Sequence, residues 1–259
     1  DEPGSTLSDT VVRGSIWVRA RGVRLERVLV APRPGRRTGV RVSAACHVDI
    51  RHSWLLGDAC DLDAVWSEPD AEGVVLDGVA IQGWATHLRM QGGCLHADRL
   101  ALEGQSEAAG ELDPLIEVSS GRHVRLRDCL ISGAHPMGGR SRASAVQLCG
   151  PGDTPGDLGL ERCRVEGTRI GIGWRSHRVD VRMHEVEMDP AVTLVDPGSE
   201  LKDISAWDLR TDAAALGADP KPPESASRSA HPSSGRTDPG PPPVPRSPSA
   251  ASATARTAS

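Results

Sequence analysis

Residues 124–133, VRLRDCLISG, contain the pattern that decides the fold of this chain. Apolar side chains occupy its first, third and eighth positions, a small or apolar residue occupies its sixth, and a glycine closes it. Seven copies begin at residues 23, 48, 74, 95, 124, 158 and 179, at intervals of 21 to 34 residues. A repeat of this period predicts a stacked architecture, in which each unit buries its apolar face against its neighbours.

Each unit contains three short strands. An alternating segment such as Val40–Val42 or Ile116–Val118 precedes each copy, and alternation marks a strand with one buried face. Within a copy the apolar spacing of two, three and two residues places a corner between two further strands. We therefore predict an all-β fold: a right-handed parallel β-helix of about eight three-stranded coils, with equivalent strands about 4.8 Å apart. Its three faces are called the first-strand, second-strand and third-strand sheets.

The units at 124–133 and 158–167 resemble repeats of the pectin-lyase-like β-helix superfamily, and the resemblance covers residues 15–210. Members that act on polysaccharides bind sugar along the outward face of one sheet. The resemblance therefore implies an extracellular or cell-surface protein that binds a polysaccharide; if it also processes the chain, the activity would be that of a lyase or glycoside hydrolase. No polygalacturonase or pectate-lyase motif accompanies it, so a catalytic role stays open.

Candidate site residues are those that alternation places on the outward face of the first-strand sheet. The candidate catalytic residues are Asp63, Arg89 and Glu117, and the candidate substrate-binding residues are Arg41, His87, Gln147, Arg175 and Trp17. Carboxylates two coils apart would be about 10 Å apart at their backbones, near the wide separation of an inverting glycosidase pair. An arginine between them could act as a lyase base or hold a uronate carboxylate. The alternative is a row of solvated charges.

Composition excludes several classes of partner. The net charge is −5 with no long basic block, which disfavours nucleic acid, and no run of 18 apolar residues predicts a membrane span. Phe and Tyr are absent, which indicates a high-GC source. The six cysteines form no C-x-x-C motif and Gly171–Gly173 lacks a third glycine, so we expect neither metal nor cofactor.

Some inward and outward side chains are also predicted. Cys129 and Cys163 share the sixth position of successive copies and should stack inside, as buried thiols or as a disulfide. His184 takes the same inward position in the seventh copy. Trp54 and Trp84 join Trp17 as candidates for exposure, and the charged fourth and fifth positions should pair between coils.

Three regions are expected: an N-terminal lead or cap remnant (1–14), the β-helix (15–210), and a disordered Pro/Ser/Ala-rich tail (211–259). The first residue is not Met, which favours a truncated or processed N-terminus. The stretch Pro239–Pro248 favours polyproline II, a conformation that SH3- or WW-type domains bind. The alternative function is therefore a non-catalytic scaffold for protein–protein interaction. We expect a monomer.

Overall fold

The computed structural model is an all-β parallel solenoid, which confirms the predicted fold class. It describes residues 2–33, 38–106, 109, 113–119, 123–133, 141–149, 156–174, 179–189, 192–195 and 204–210. Within these ranges the side chains at 58–61, 141–143, 156, 170, 174, 179–180, 193–195 and 204–210 are not described. The predicted tail, 211–259, lies outside the described residues.

Every strand pairs in parallel with equivalent strands one coil away. The first-strand sheet contains, wholly or at their C-terminal ends, β2 (Ile16–Val18), β4 (Val40–Val42), β6 (Trp54–Ser67), β8 (Ala80–Met90), β11 (Ile116–Val118), β14 (Ser141–Leu148), β17 (Thr168–Trp174) and β19 (Thr193–Val195). The second-strand sheet contains, wholly or at their N-terminal ends, β1 (Thr6–Val12), β3 (Val23–Val30), β5 (His47–Arg51), β7 (Gly73–Asp77), β9 (Cys94–Asp98), β12 (His123–Arg127), β15 (Gly156–Glu161), β18 (Val179–Met188) and β20 (Ile204–Arg210). The third-strand sheet contains β10 (Ala101–Gln105), β13 (Leu130–Ser132) and β16 (Arg164–Glu166), together with the remaining ends of the longer strands that turn the corner.

The coil count is lower than predicted. The solenoid has about five turns rather than eight. The five coils between residues 40 and 166 have all three strands paired on both sides, and further strands before and after them continue the pairing. At the N-terminal end, β1 lies within residues 1–14 and pairs in parallel with β3, with Leu7 beside Leu25 and Val12 beside Val30.

The inward side chains form one continuous hydrophobic core. A typical coil contributes Val74 and Leu76 from the second-strand sheet and Val79 and Ile81 from the third-strand sheet, each at most 1% exposed. Full burial of one such side chain stabilises the fold by about 1.5–3 kcal/mol. Since the faces of a coil are covered by the coils on either side, stacking is the source of this stability.

A single residue with a left-handed backbone conformation forms the corner between the second and third strands. At eight successive corners the residue has a φ between 47° and 61°: Asp9, Arg27, His52, Gly78, Arg99, Asp128, Arg162 and Glu185. The N–H group of this residue donates to the fourth-position carbonyl of the next coil, as Asp128 does to Glu161 at 2.9 Å. A side chain in this conformation costs about 1–2 kcal/mol, and the stacked hydrogen bonds offset that cost. The apolar spacing predicts a bend here, but not its left-handed backbone.

Hydrogen-bond donors at the sixth position support this corner from inside. Ser53 Oγ donates to the Arg51 carbonyl at 2.6 Å, and Cys129 Sγ lies 3.1 Å from the carbonyl of Arg127. Cys163 Sγ contacts the carbonyl two residues before it in the same way, at 3.3 Å. Both cysteines are buried free thiols, which confirms their stacked inward position.

Ion pairs link the corners of successive coils, as predicted. Arg27 Nε lies 2.7 Å from Asp9 Oδ1, and Arg162 Nε lies 2.6 Å from Asp128 Oδ1. The arginines hold the pKa values of both aspartates below the usual range, chiefly through side-chain hydrogen bonds. Because these groups are exposed to water, the pairs contribute little to stability.

The register of the seventh copy differs from the prediction by two residues. Val181 aligns with Leu158 and Met183 with Leu160, so this copy begins at 181 rather than 179. His184 therefore takes the fourth position, on the outward side of the corner, and it is exposed. The prediction of an inward His184 is wrong, because Val186 occupies the sixth position.

Candidate functional site

One continuous column of side chains runs along the outward face of the first-strand sheet. In rung order this outward column consists of Trp17, Arg41, Trp66, Arg89, Glu117, Gln147 and Gly173. Strand alternation produces it, since Arg41 lies between Val40 and Val42, both of which are fully buried. From Trp17 to Gln147 the column spans about 24 Å at the strand spacing of parallel sheets.

The first part of the column is a stack of indole rings and guanidinium groups. The guanidinium carbon of Arg41 lies 4.8 Å from the ring centroid of Trp17 and 4.5 Å from that of Trp66. The guanidinium carbon of Arg19 lies 3.6 Å from the centroid of the same Trp17 ring. These distances permit cation–π attraction, which orients each ring. Trp17 is still 47% exposed, so part of its ring is open to a ligand.

Hydrogen bonds from neighbouring loops hold this stack in place. Trp17 Nε1 donates to Ser43 Oγ at 2.6 Å, and Arg41 Nε donates to Glu68 Oε1 at 2.5 Å. The Arg41 side chain is 39% exposed and that of Glu68 is 18% exposed. The indole and guanidinium groups are therefore fixed before a ligand arrives, which lowers the entropic cost of binding.

Arg89 lies between two carboxylates in the middle of the column. Its Nε is 3.3 Å from Asp63 Oδ1 and 3.2 Å from Glu117 Oε2. Both oxygens contact one nitrogen, so their separation is at or below the lower end of the range of about 6.5–9.5 Å that is typical of an inverting pair. The three predicted catalytic residues are thus brought together, as an ion triad with the guanidinium at its centre.

Asp63 is the buried member of this triad. Its side chain is 7% exposed, compared with 24% for Glu117 and 31% for Arg89. Burial raises the pKa of Asp63 to about 6, Arg89 opposes the shift, and Glu117 and Asp113 add to it. Asp63 therefore titrates close to neutral pH, whereas Arg89 and Glu117 are the members that a ligand in the column would meet.

The predicted outward position of Asp63 is wrong. Asp63 aligns with Thr86 beside the column, and Trp66 is the outward residue of that coil. The inward residues are Val65 and Ser67, both fully buried. A polar residue such as Ser67 is not expected at an inward position, so the apolar pattern did not indicate this register. Its hydroxyl is nevertheless satisfied inside, because it donates to the Gly92 carbonyl at 3.1 Å.

His87 was also expected on the outward face, but it is fully buried. Burial lowers its pKa to about 4, against the effect of the backbone carbonyl groups of Glu103 and Gly104. Neither ring nitrogen has a well-aligned hydrogen-bond partner among the described residues. The chain around Leu115 covers this segment, since its carbonyl accepts hydrogen bonds from the N–H groups of His87 and Leu88, each at 3.0 Å. His87 cannot contact a ligand in the column.

Gln147 closes the far end of the column. Ser144 Oγ donates to its Oε1 at 3.1 Å. The next rung is Gly173, where a Cβ would collide with the Gln147 amide and the Ser144 hydroxyl. The absence of a side chain at Gly173 therefore keeps the Gln147 amide in place. Arg175, the remaining predicted binding residue, lies outside the described residues.

Sequence reasoning missed two residues of this surface, Trp66 and Glu68. The interval of 25 residues from Val40 to Val65 matches the repeat and identifies the correct first strand of that coil. No sequence pattern identifies Glu68, since its place in this surface depends on a side-chain hydrogen bond from Arg41. Of the other tryptophans, Trp54 is 61% exposed as expected, but Trp84 is fully buried and donates to the Leu55 carbonyl at 3.0 Å.

Within the described ranges, no three His, Cys, Asp or Glu side chains converge in a way that could hold a metal ion. The same part of the chain contains no helix long and apolar enough to span a membrane. Comparison of the chain with protein-family models, with curated proteins and with solved structures gave no match. The parallel β-solenoid is therefore established by the strand pairing itself, and the superfamily resemblance rests on the repeat residues.

Proposed function

We propose that this chain binds a polysaccharide along the outward column of the first-strand sheet. The observation that carries the proposal is the column itself, about 24 Å long, with a half-exposed indole ring at one end and polar side chains along the rest. An extended ligand parallel to the stacking axis would meet one side chain per rung. The superfamily resemblance of the repeats supports the same reading, as an analogy of fold.

The side chains of the column suit a sugar chain, and an acidic one best. Trp17 is 47% exposed, and the open part of its indole offers an apolar surface for a sugar ring. Arg19, beside that ring, is exposed and has no carboxylate partner among the described residues, so it is available to a uronate carboxylate. Glu117 and Gln147 supply hydrogen-bonding groups further along.

The candidate site for processing the bound chain is formed by Arg89 and Glu117. Arg89 sits where it can contact an acidic sugar, and Asp63 behind it can accept a proton near neutral pH. Glu117→Gln and Asp63→Asn should each abolish any lyase or hydrolase activity that the wild-type chain shows. Unchanged activity in both variants would remove these residues from the reaction.

A glycan array tests the binding function, with the wild-type chain, Trp17→Ala and the matched control Trp54→Ala. Both tryptophans are exposed, but Trp54 lies on the third-strand sheet. We expect wild-type binding to at least one acidic polysaccharide, a loss of about tenfold in Trp17→Ala, equivalent to ~1.4 kcal/mol, and no change in the control. The absence of binding to every acidic and neutral glycan would refute the proposal.

A second candidate function, a non-catalytic scaffold for protein partners, is favoured by the third-strand sheet. Its outward face aligns Val11, Leu29 and Trp54 in successive rungs, and Val11 is 55% exposed. Exposed apolar side chains in a row are typical of protein-binding surfaces. For a candidate protein partner, Trp54→Glu should abolish association and Trp17→Ala should leave it intact. The reverse result would exclude this face.

A further inference from the structure

A separate groove of about 830 Å³ lies on the outward face of the second-strand sheet. Its central row aligns Val75, His96, Arg125, Gly159 and Arg182 in successive rungs. None of these residues belongs to the outward column. The volume lies within the range of small-molecule sites, about 300–1,000 Å³.

Gly159 interrupts the row of long side chains and forms a notch in the groove. A Cβ at this position would lie 3.8 Å from Arg125 Cγ and 3.9 Å from the Val124 carbonyl oxygen, which are ordinary contacts. Its backbone is also not in the left-handed region. The fold therefore does not require glycine here, although glycine weakens a strand. A glycine inside a strand is typical of a place where a ligand approaches the backbone.

The two residues on either side of the notch are arginines. Arg125 aligns with Gly159 in the preceding rung, and Arg182 aligns with it in the following rung. At about 4.8 Å per rung their backbones are about 9.6 Å apart. The position between them carries no side chain, so a small polar group placed there would lie beside Arg125.

The carboxylates that line the groove already have basic partners. Asp77 pairs with Arg99 at 2.5 Å, Asp157 contacts His123 at 2.5 Å, Glu161 pairs with Arg162, and Asp98 pairs with Arg127. Of these partners, Arg127 lines the groove, and Arg99, His123 and Arg162 do not.

By contrast, Arg125 is exposed and makes no ion pair with the described residues. Arg125 therefore brings to the notch a positive charge that no described carboxylate neutralises.

We propose that this notch is a binding site for an organic oxyanion, that is, a ligand bearing a carboxylate, sulfate ester or phosphate ester. Arg125 would hold two oxygens of the anion in a bidentate contact, which its planar guanidinium favours. Gly159 would allow the anion to approach the backbone beside Arg125. The rest of the ligand would extend along the groove towards His96 and Val75, of which the latter is 37% exposed.

Calorimetric titration at constant ionic strength tests this site. The probes are a uronate disaccharide, a sulfated disaccharide and a sugar phosphate, with the neutral parent disaccharide as a control. We expect at least one anionic probe to bind and the neutral one not to bind, and the probe that binds identifies the preferred oxyanion. The absence of binding by all three anions would overturn the proposal.

Three variants locate the binding. Arg125→Gln removes the bidentate contact, and Gly159→Leu fills the notch without a backbone clash, so each should weaken binding at least tenfold while the melting temperature stays close to that of the wild type. Arg164→Gln is the matched control, because it removes the same charge from an exposed position on the third-strand sheet. Wild-type affinity in the first two variants, or an equal loss in the control, would overturn the proposal.

Trp17→Ala shows whether the outward column accounts for the titration signal, because Trp17 belongs to that column and not to the groove. Loss of binding in Trp17→Ala together with wild-type affinity in Arg125→Gln would assign the anion to the first-strand sheet, and would contradict a site at the notch.

Discussion

Two buried titratable groups are expected to give this protein opposing responses to pH. Asp63 has its pKa raised to about 6 by burial, and His87 has its pKa lowered to about 4 by burial. Below about pH 3.8 Asp63 is neutral in both the folded and the unfolded chain. Its contribution to stability is therefore complete there and is lost as the pH rises through 6. For His87 the contribution is complete above about pH 6.5 and is lost as the pH falls through 4.

The two effects are similar in size. A pKa difference of one between the folded and unfolded chain corresponds to about 1.4 kcal/mol of unfolding free energy. Each group, with a difference of roughly two, therefore changes the free energy of unfolding by ~3 kcal/mol between its two pKa values. In the wild-type chain the two slopes oppose each other between about pH 4 and 6.5. In Asp63→Asn only the His87 effect remains, so the free energy of unfolding should fall as the pH falls. In His87→Gln only the Asp63 effect remains, so the free energy of unfolding should fall as the pH rises.

Denaturant unfolding at several pH values between 4 and 7 measures these slopes, with the fluorescence of the buried Trp84 as one reporter. The quantity to compare is the free energy of unfolding of each variant minus that of the wild type at the same pH. Asp128→Asn is a control without a slope, because Arg162 lowers the pKa of Asp128 from its usual 3.8, so this carboxylate changes its ionisation mainly below the measured pH range. Differences that stay constant with pH in both Asp63→Asn and His87→Gln would refute the reasoning.

Three further predictions concern the solenoid itself. Gly78→Val should destabilise the fold by about 1–3 kcal/mol, because φ at this residue is 61°; an unchanged melting temperature would contradict the left-handed corner. Leu76→Ala should cost about 2–5 kcal/mol of unfolding free energy, whereas Val75→Ala, one residue away on the outward face, should change it by less than about 0.5 kcal/mol; equal effects would contradict the alternation. The thiols of Cys129 and Cys163 should react with a thiol reagent only after unfolding, and rapid reaction in the native protein would show that they are not buried.

The parts of the fold that sequence predicted are those in which the apolar pattern is unambiguous. In the copy that begins at 124, all three apolar positions carry Val, Leu or Ile, and the predicted strands match the observed ones. At 179 the pattern allowed two registers, since Val179, Val181 and Met183 all alternate. The copy that begins at 181 fills all four positions with Val and Met, and that criterion would have selected the correct register.

The candidate site was predicted less well, because its geometry depends on side-chain reach and on covering segments. Alternation placed Trp17, Arg41, Arg89 and Glu117 on one column, and their alignment is observed. It could not show that the chain near Leu115 covers His87, since that contact joins segments far apart in sequence. The cluster of Asp63 with Arg89 likewise comes from a corner at which the strand departs from simple alternation, with register shifts near residues 60–63.

The most direct test of the outward column as a polysaccharide-binding site is affinity measured as a function of ligand length. An acidic oligosaccharide series, taken from the polysaccharide that gives the strongest array signal, would be titrated against the wild-type chain. The affinity should rise with each added sugar and level off once the ligand reaches about 24 Å, the span from Trp17 to Gln147. Affinity that is independent of length, or no binding at any length, would contradict the account.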